Sequence, residues 1–549
     1  MKTILKISIF SIALFILSVK TSAQYTQDWI SNYTGAGNNI DNATDIVLDN
    51  SGNVYVAGYS TVSTNNTDYV TIKYNPSGVQ QWVATYNGPG NDLDEARGIV
   101  VDNAGNVYVT GMSYVTSISS DYVTIKYNSA GVQQWTVNYN GPGNGNDGAA
   151  AIVIDGSNNI YITGYSGGSG GASDFATVKY NSSGVQQWAS RYTGPGNVHD
   201  NARTIKVDAA GNVYVAGEVG LSGTGYDYAT VKYNSSGVQQ WVSTYTSPGA
   251  GTGRDGVFSI DIDVSGNVYV TGSSVGSGSG SDFATIKYNS TGVQQWVTRY
   301  NGSGNSNDDA YSLAVDNFGN VYVTGYSTST GTGIDYATIK YNPSGVQQWV
   351  ATYNGPGNTA DIAYSLAIDT LGNTYITGAS AGSGTSNDIA TIMYNSSGVE
   401  QWTTRYNGPP GNGLDKGNSL VLDGSGKIYV TGASTGIGTG QDFATIKYTQ
   451  SVGIQQIDLE IPKSYSLMQN YPNPFNPVTN IKFAVPKSTF VKLAVFDVSG
   501  RELETLVSQN MTAGTYKADW DASKYSSGVY FYRLETEGFS KTSKMILVK

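Results

Sequence analysis

The chain has 549 residues, a net charge of −11, a single histidine (His199) and no cysteine. The missing cysteines exclude disulfides, thiol nucleophiles and Cys-ligated metals, and one histidine cannot build a histidine-rich metal site. The acidic balance, with Lys and Arg scattered singly, excludes a nucleic-acid binder, which needs a basic surface.

At the N-terminus Lys2 and Lys6 precede the apolar run ISIFSIALFILSV at 7–19, and TSA at 21–23 offers small residues to a signal peptidase. Residues 1–23 are therefore predicted to be a signal peptide, with Gln24 as the first mature residue. The run is short for a bilayer span and no other segment approaches about 20 apolar residues, so no transmembrane anchor is expected.

A tryptophan then returns as Trp29, Trp82, Trp135, Trp188, Trp241, Trp296, Trp349 and Trp402, at intervals of 53 residues except for 55 between Trp241 and Trp296. Each unit carries four strand-like segments, for instance QQWVATY (80–86), RGIVVD (97–102), NVYVTG (106–111) and DYVTIKY (121–127). They are β-branched or aromatic and bounded by Gly, Asn, Asp or Ser, with no competing helical period. A unit of this length is too long for one coil of a β-helix and matches one blade of a β-propeller. Both alternating faces of DYVTIKY carry bulk, as a sheet packed between two neighbours requires, and the repeated tryptophan reads as blade-to-blade packing. The predicted fold is all-β: an eight-bladed β-propeller over 24–449, closed when the strand bearing Trp29 completes the last blade and so removes the free edges.

VDNAGNVYVTG (101–111) reads as a hairpin in which Asp102 accepts backbone N–H groups and Gly105 supplies a positive φ. Followed by DYVTIKYNSAGVQQW, it resembles the bacterial β-propeller repeat called the SBBP repeat and, more loosely, the NHL repeat, over about 25–449. The resemblance implies an exported propeller and speaks to fold more than to function.

Three aspartates recur in every unit. One set, Asp41, Asp94, Asp147, Asp200, Asp255, Asp308, Asp361 and Asp415, precedes the innermost strand. Pseudo-symmetry puts these eight carboxylates near one mouth of the channel, either capping their own loops or forming a ring for a cation or polyhydroxy ligand. The spacing between units varies only in the connection before this set, so the permissive loops share one face, where binding groups collect. That face also holds residues that break the symmetry: Asp92, Glu95, Arg97, His199, Arg203, Arg254, Asp309 and Lys416. Asp92, Glu95 or Asp309 would be the carboxylates of a glycosidase, whose two carboxyl groups stand ~5 to 9.5 Å apart; solvated loop charges are the alternative. DIDVSG at 261–266 lacks the closing Glu of a calcium loop, and GGSGGAS at 167–173 opens no helix that would cradle phosphate, so no metal or cofactor is implied.

After Tyr448 the repeat stops. A connector at 450–466 leads to 467–549, where VKLAVFDVSGRELETL, GTYKADWDA and GVYFYRLETEGFSKTSKMILVK alternate apolar and polar residues like a small Ig-like β-sandwich. NYPNPFNPVTN at 470–480, WDA at 520–522, SGVYFYRL and the Lys-Met near the end closely resemble the C-terminal sorting domain of type IX secretion substrates, with Ala522 in place of the usual Gly. That resemblance implies type IX machinery as a partner and a location outside the cell or on the outer-membrane surface of a Gram-negative bacterium. The expected function is a secreted scaffold or binding protein for an extracellular glycan or protein, with a polysaccharide-degrading enzyme as the alternative.

Overall fold

The computed structural model describes residues 24–549 apart from 38, 65, 117–118, 197, 222–224, 249–252, 452–453, 459–460 and 523–524. The expected signal peptide lies outside the described residues. Among those residues every regular element is a strand, and no helix is long and apolar enough to cross a membrane. The strands fall into two compact units, Thr26–Thr449 and Gln450–Lys549.

The first unit consists of four-stranded antiparallel sheets repeated around an axis. Blade 1 contains β2 (Asp41–Leu48), β3 (Val54–Ser63), β4 (Asn66–Tyr74) and β5 (Gln80–Tyr86), paired in that order from the centre outward. Blades 2 to 7 repeat the order over 94–139, 147–192, 201–245, 256–300, 308–353 and 361–406. Blade 8 takes its three inner strands from Lys416–Leu422, Ile428–Thr435 and Gln441–Ser451, and its outer strand is β1 (Gln24–Tyr33). Each innermost strand touches the innermost strands of both neighbours, including Lys416–Leu422 against β2, so the eight blades form a circle. Asn418 Nδ2 donates to Ala43 O across that seam at 2.7 Å.

The cores lie between blades. Tyr55, Ala57 and Tyr69 of blade 1 pack with Ala96, Ile99, Val109, Val123 and Tyr127 of blade 2; at the seam, Phe443 and Tyr429 of blade 8 pack against Val56, Val70 and Tyr74 of blade 1. Middle strands are thus buried on both faces, which is why their alternation carries bulk in both registers. The repeated tryptophans sit at the rim of these interfaces, half-buried except for the buried Trp402. Trp82 lies 6.2 Å from Tyr55 of its own blade and 6.1 Å from Tyr127 of the next, and its indole N–H donates to Ser129 O. Trp29 makes the same contacts with Tyr429 and Tyr74, and donates to Pro76 O, which fastens β1 into the circle.

One irregularity positions the site. In every blade the innermost strand carries a β-bulge, in blade 1 between Ala43 and Asp45, which leaves Thr44 out of the ladder. A glycine of the second strand always faces it: a Cβ on Gly58 would lie 2.0 Å from Asn42 O, and one on Gly325 1.9 Å from Asp309 O. The glycine lets the bulged carbonyl press against the neighbouring backbone.

In the second unit, one sheet orders Ile454–Asp458, Gly514–Asp521, Val478–Val485 and Ser466–Leu467; the other orders Glu502–Met511, Thr489–Phe496, Gly528–Thr536 and Phe539–Leu547. Both enclose a core centred on the fully buried Trp520, with Phe475, Phe483, Leu493 and Tyr532. Part of the expected 450–466 connector is therefore sheet, because Ile454–Asp458 pairs with Gly514–Asp521. The proline-rich motif folds inward: Phe475 packs 5.5 Å from Trp520, and the buried Asn470 amide donates to Pro472 O and Thr479 Oγ1.

Candidate functional site

The eight aspartates that precede the innermost strands are buried to 1% exposure or less. One carboxylate oxygen of each accepts the N–H of the loop that wraps it, as from Gly35 to Asp41 (2.6 Å), Gly141 to Asp147 (2.7 Å), Gly194 to Asp200 (2.6 Å), Ser247 to Asp255 (2.9 Å) and Gly408 to Asp415 (2.8 Å). The second oxygen of Asp147, Asp200, Asp255, Asp308, Asp361 and Asp415 takes an N–H from the end of the second strand. Of the two expected arrangements, loop caps and a cation or polyhydroxy ring at the mouth, these hydrogen bonds are those of loop caps: the connecting loop folds over each side chain. Desolvation raises the carboxyls of Asp41, Asp94, Asp200, Asp308 and Asp415, and these hydrogen bonds offset part of the rise.

The channel wall is built by the bulged strands, whose inner edge has no β partner. Side chains of the preceding blade supply acceptors to that edge: Leu313 N–H donates to Ser259 Oγ (3.1 Å), Leu366 N–H to Ser312 Oγ (3.3 Å) and Leu420 N–H to Ser365 Oγ (3.2 Å). In blade 1 the same position is Asp45, which accepts from Ile99 N–H at 3.2 Å and whose carboxyl is pushed up to about 6 by desolvation.

The residue left out of the ladder varies among the blades. In order it is Thr44, Arg97, Ala150, Arg203, Phe258, Tyr311, Tyr364 and Asn418. Three consecutive aromatics form an arc: Phe258 meets Tyr311 edge-on at 5.2 Å, and Tyr311 lies 5.6 Å from Tyr364. A cation closes each end, with the Arg203 guanidinium 5.3 Å from the Phe258 ring and Lys416 Nζ 4.7 Å from that of Tyr364. Burial lowers the Lys416 ammonium below its ordinary range and raises the Tyr311 phenol to about 12. Asp309 borders the arc, accepting from Tyr326 O–H at 2.7 Å and Ser281 Oγ at 2.8 Å.

Apart from Lys416 in blade 8, the symmetry-breaking residues separate into three places. Glu95 and Arg97 pair with each other in blade 2, and Asp92 caps Leu93 N–H at 2.9 Å in the loop before it. Asp309 stands in blade 6, half the circle away. Arg203 and Arg254 converge on Glu218, which is wholly buried: Arg203 Nη2 lies 2.8 Å from one oxygen and Arg254 Nε 2.7 Å from the other, with Asn201 Nδ2 at 3.2 Å. The two guanidiniums hold the Glu218 carboxyl below its usual range against its desolvation. His199 is exposed nearby, its Nδ1 accepting Ser173 N–H at 3.2 Å.

Phe258, Tyr311, Tyr364 and Glu218 were not among the expected residues. Comparing the units column by column exposes them: Glu218 replaces Tyr59, Met112, Tyr165, Ser273, Tyr326, Ala379 or Ala433 of the other blades. Among the described residues no three His, Asp or Glu side chains gather closely enough to hold a metal.

The model of the beta-propeller repeat (SBBP) matches residues 30–65, 81–118 and 295–331, and that of the secretion system C-terminal sorting domain matches 469–549. The chain is an SBBP-repeat β-propeller with a type IX sorting tail. The tail marks the propeller for export to the cell surface or extracellular space. No curated protein matches the chain. Among solved structures, it is similar to the Penicillium chrysogenum α-L-arabinanase complexed with arabinobiose (9% identity, 77% of this chain and 98% of that one, TM-score 0.34). Others are a Synechocystis apocarotenoid oxygenase mutant (9%, 91% and 98%, 0.32) and AofleA from Arthrobotrys oligospora (10%, 70% and 90%, 0.27).

Proposed function

We propose that this exported propeller is a non-enzymatic binding protein that holds an extracellular glycan on the wall of its central channel. The observation that carries the reading is the arc Phe258–Tyr311–Tyr364 between Arg203 and Lys416. On an otherwise repeating scaffold these side chains are partly exposed, vary among the blades and are not among the buried residues of the described inter-blade cores. Contiguous aromatic faces suit the apolar faces of sugar rings, and Asp309, Arg203 and Lys416 supply acceptor and donors for hydroxyl groups at the margins.

A binding role is also supported by how the loop carboxylates are used. Glu95 is paired with Arg97, Asp309 is held by two hydroxyls, and the two stand in blades 2 and 6. A hydrolase requires two carboxyl groups facing one bond at ~5 to 9.5 Å. The test is to incubate the purified chain with a panel of immobilised polysaccharides, measuring retention and release of shorter products. Retention without cleavage, lost in Tyr311→Ala, is expected. Release of oligosaccharides would replace the reading with that of a polysaccharide-degrading enzyme.

A further inference from the structure

Beside the channel, on the loop face of blades 3 to 5, lies a cleft of about 520 Å³ whose walls include Tyr165, Tyr226, Asn201, His199 and Arg254. Blade 3 opens it by omitting side chains. Gly167 and Gly168 stand where blade 1 has Thr61 and Val62, and a Cβ on Gly145 would meet nothing nearer than Gly167 Cα at 3.8 Å. Gly148 makes room for the Tyr165 ring, which comes within 2.6 Å of where its Cβ would lie, so that ring is seated against the backbone as one wall.

The polar groups of this cleft are fixed. Buried Glu218 binds Arg254 through Nε and one Nη, which sets the plane of the guanidinium, and Arg254 remains 58% exposed. Arg203 shares the same carboxylate, so two guanidiniums meet the one Glu218 side chain and neither has it to itself. Ser173 N–H must donate, so His199 Nδ1 is the acceptor and the ring carries its proton on Nε2 as a further donor. An arginine with a preset plane and spare N–H groups matches a planar carboxylate. The tyrosine walls, the Asn201 amide and the imidazole N–H suit a sugar ring and its hydroxyls.

We propose that this cleft receives a uronate unit of an acidic glycan, its carboxylate on Arg254; this assignment rests on the glycan-binding reading of the channel. The test is calorimetric titration of the purified chain with trigalacturonate and with an uncharged trisaccharide. The variants are Gly145→Leu, which fills the cleft without touching the ion cluster, Arg254→Gln and, on the channel wall, Tyr311→Ala, each checked by thermal unfolding. Trigalacturonate should bind at least tenfold more tightly than the uncharged sugar, and both G145L and R254Q should remove at least tenfold of that affinity. Equal affinity for the two sugars, or trigalacturonate binding untouched by a folded G145L or R254Q, would overturn the uronate site. Loss in Y311A with G145L unaffected would overturn it while leaving the channel reading in place. Binding of neither sugar also overturns it, and the polysaccharide panel then decides the channel reading separately.

Discussion

Replacing Gly325 by alanine probes the device that turns a regular blade into a channel wall. The new Cβ would lie 1.9 Å from Asp309 O, 2.8 Å from Ala310 Cα and 2.9 Å from Asp309 C, all backbone atoms of the adjacent strand. Carbon–oxygen contacts settle at about 3.3 Å or more, so the carbonyl must retreat by about 1.4 Å. No side-chain rotation relieves such an overlap; the strand must shift, and with it Tyr311, which the bulge places against Phe258 at 5.2 Å. Overpacking of a closed interior costs roughly 1–3 kcal/mol, and a purely backbone clash belongs at the upper end, about 3 kcal/mol. Gly156→Ala is the control, since nothing lies within 4 Å of its added methyl and its φ is not positive; reduced freedom of the unfolded chain should stabilise it by about 0.4–1 kcal/mol. Urea unfolding followed by circular dichroism reads both. A Gly325→Ala chain that unfolds within about 0.5 kcal/mol of the parent would refute the claim that the glycine exists to admit the bulge.

Three further outcomes follow from the same geometry. Deleting residues 24–33 removes the outer strand of blade 8 and uncovers the edge of Gln441–Ser451; light scattering should detect self-association and the melting temperature should fall, whereas a monomer with parental stability would contradict ring closure. The buried Asp121 carboxyl is raised to about 6 by desolvation and by the nearby Asp147 charge. Its folded form holds the proton more tightly than its unfolded form, so its contribution is present below about pH 4 and lost as pH rises through about 6. Asp121→Asn should therefore raise the melting temperature at pH 8, with the gain vanishing at pH 4; a gain independent of pH would contradict this. Truncation at residue 466 should leave the propeller inside the cell envelope by fractionation, and surface exposure of the truncated chain would contradict the role of the tail.

The architecture was legible because the eight tryptophans, and three aspartates per unit, return at nearly constant intervals that a repeated four-stranded sheet explains. Trp29, standing alone before the first full unit, disclosed how the circle closes. The site was less legible. Symmetry brought Asp41 and its counterparts to the mouth, but backbone amides bury each carboxylate, a hydrogen-bonding outcome that spacing alone does not encode. Arg97, Arg203 and Asp309 drew attention through their charge, yet the bulge that sets the wall is visible in the sequence only as a glycine recurring in the second strand. Without it, Phe258, Tyr311 and Tyr364 read as ordinary strand residues. Glu218 stayed hidden because the positive charges that accompany it come from two different units, which only the packing of neighbouring blades brings together.

The central claim is that a glycan rests on side chains that the bulges place on the channel wall. Phe258, Tyr311 and Tyr364 can be replaced together by threonine, the residue that blade 1 carries at this position as Thr44, and retention on the polysaccharide panel measured beside the melting temperature. The account predicts a chain that melts near the parent and loses at least tenfold of its retention; a folded triple variant retained as strongly as the parent would contradict it.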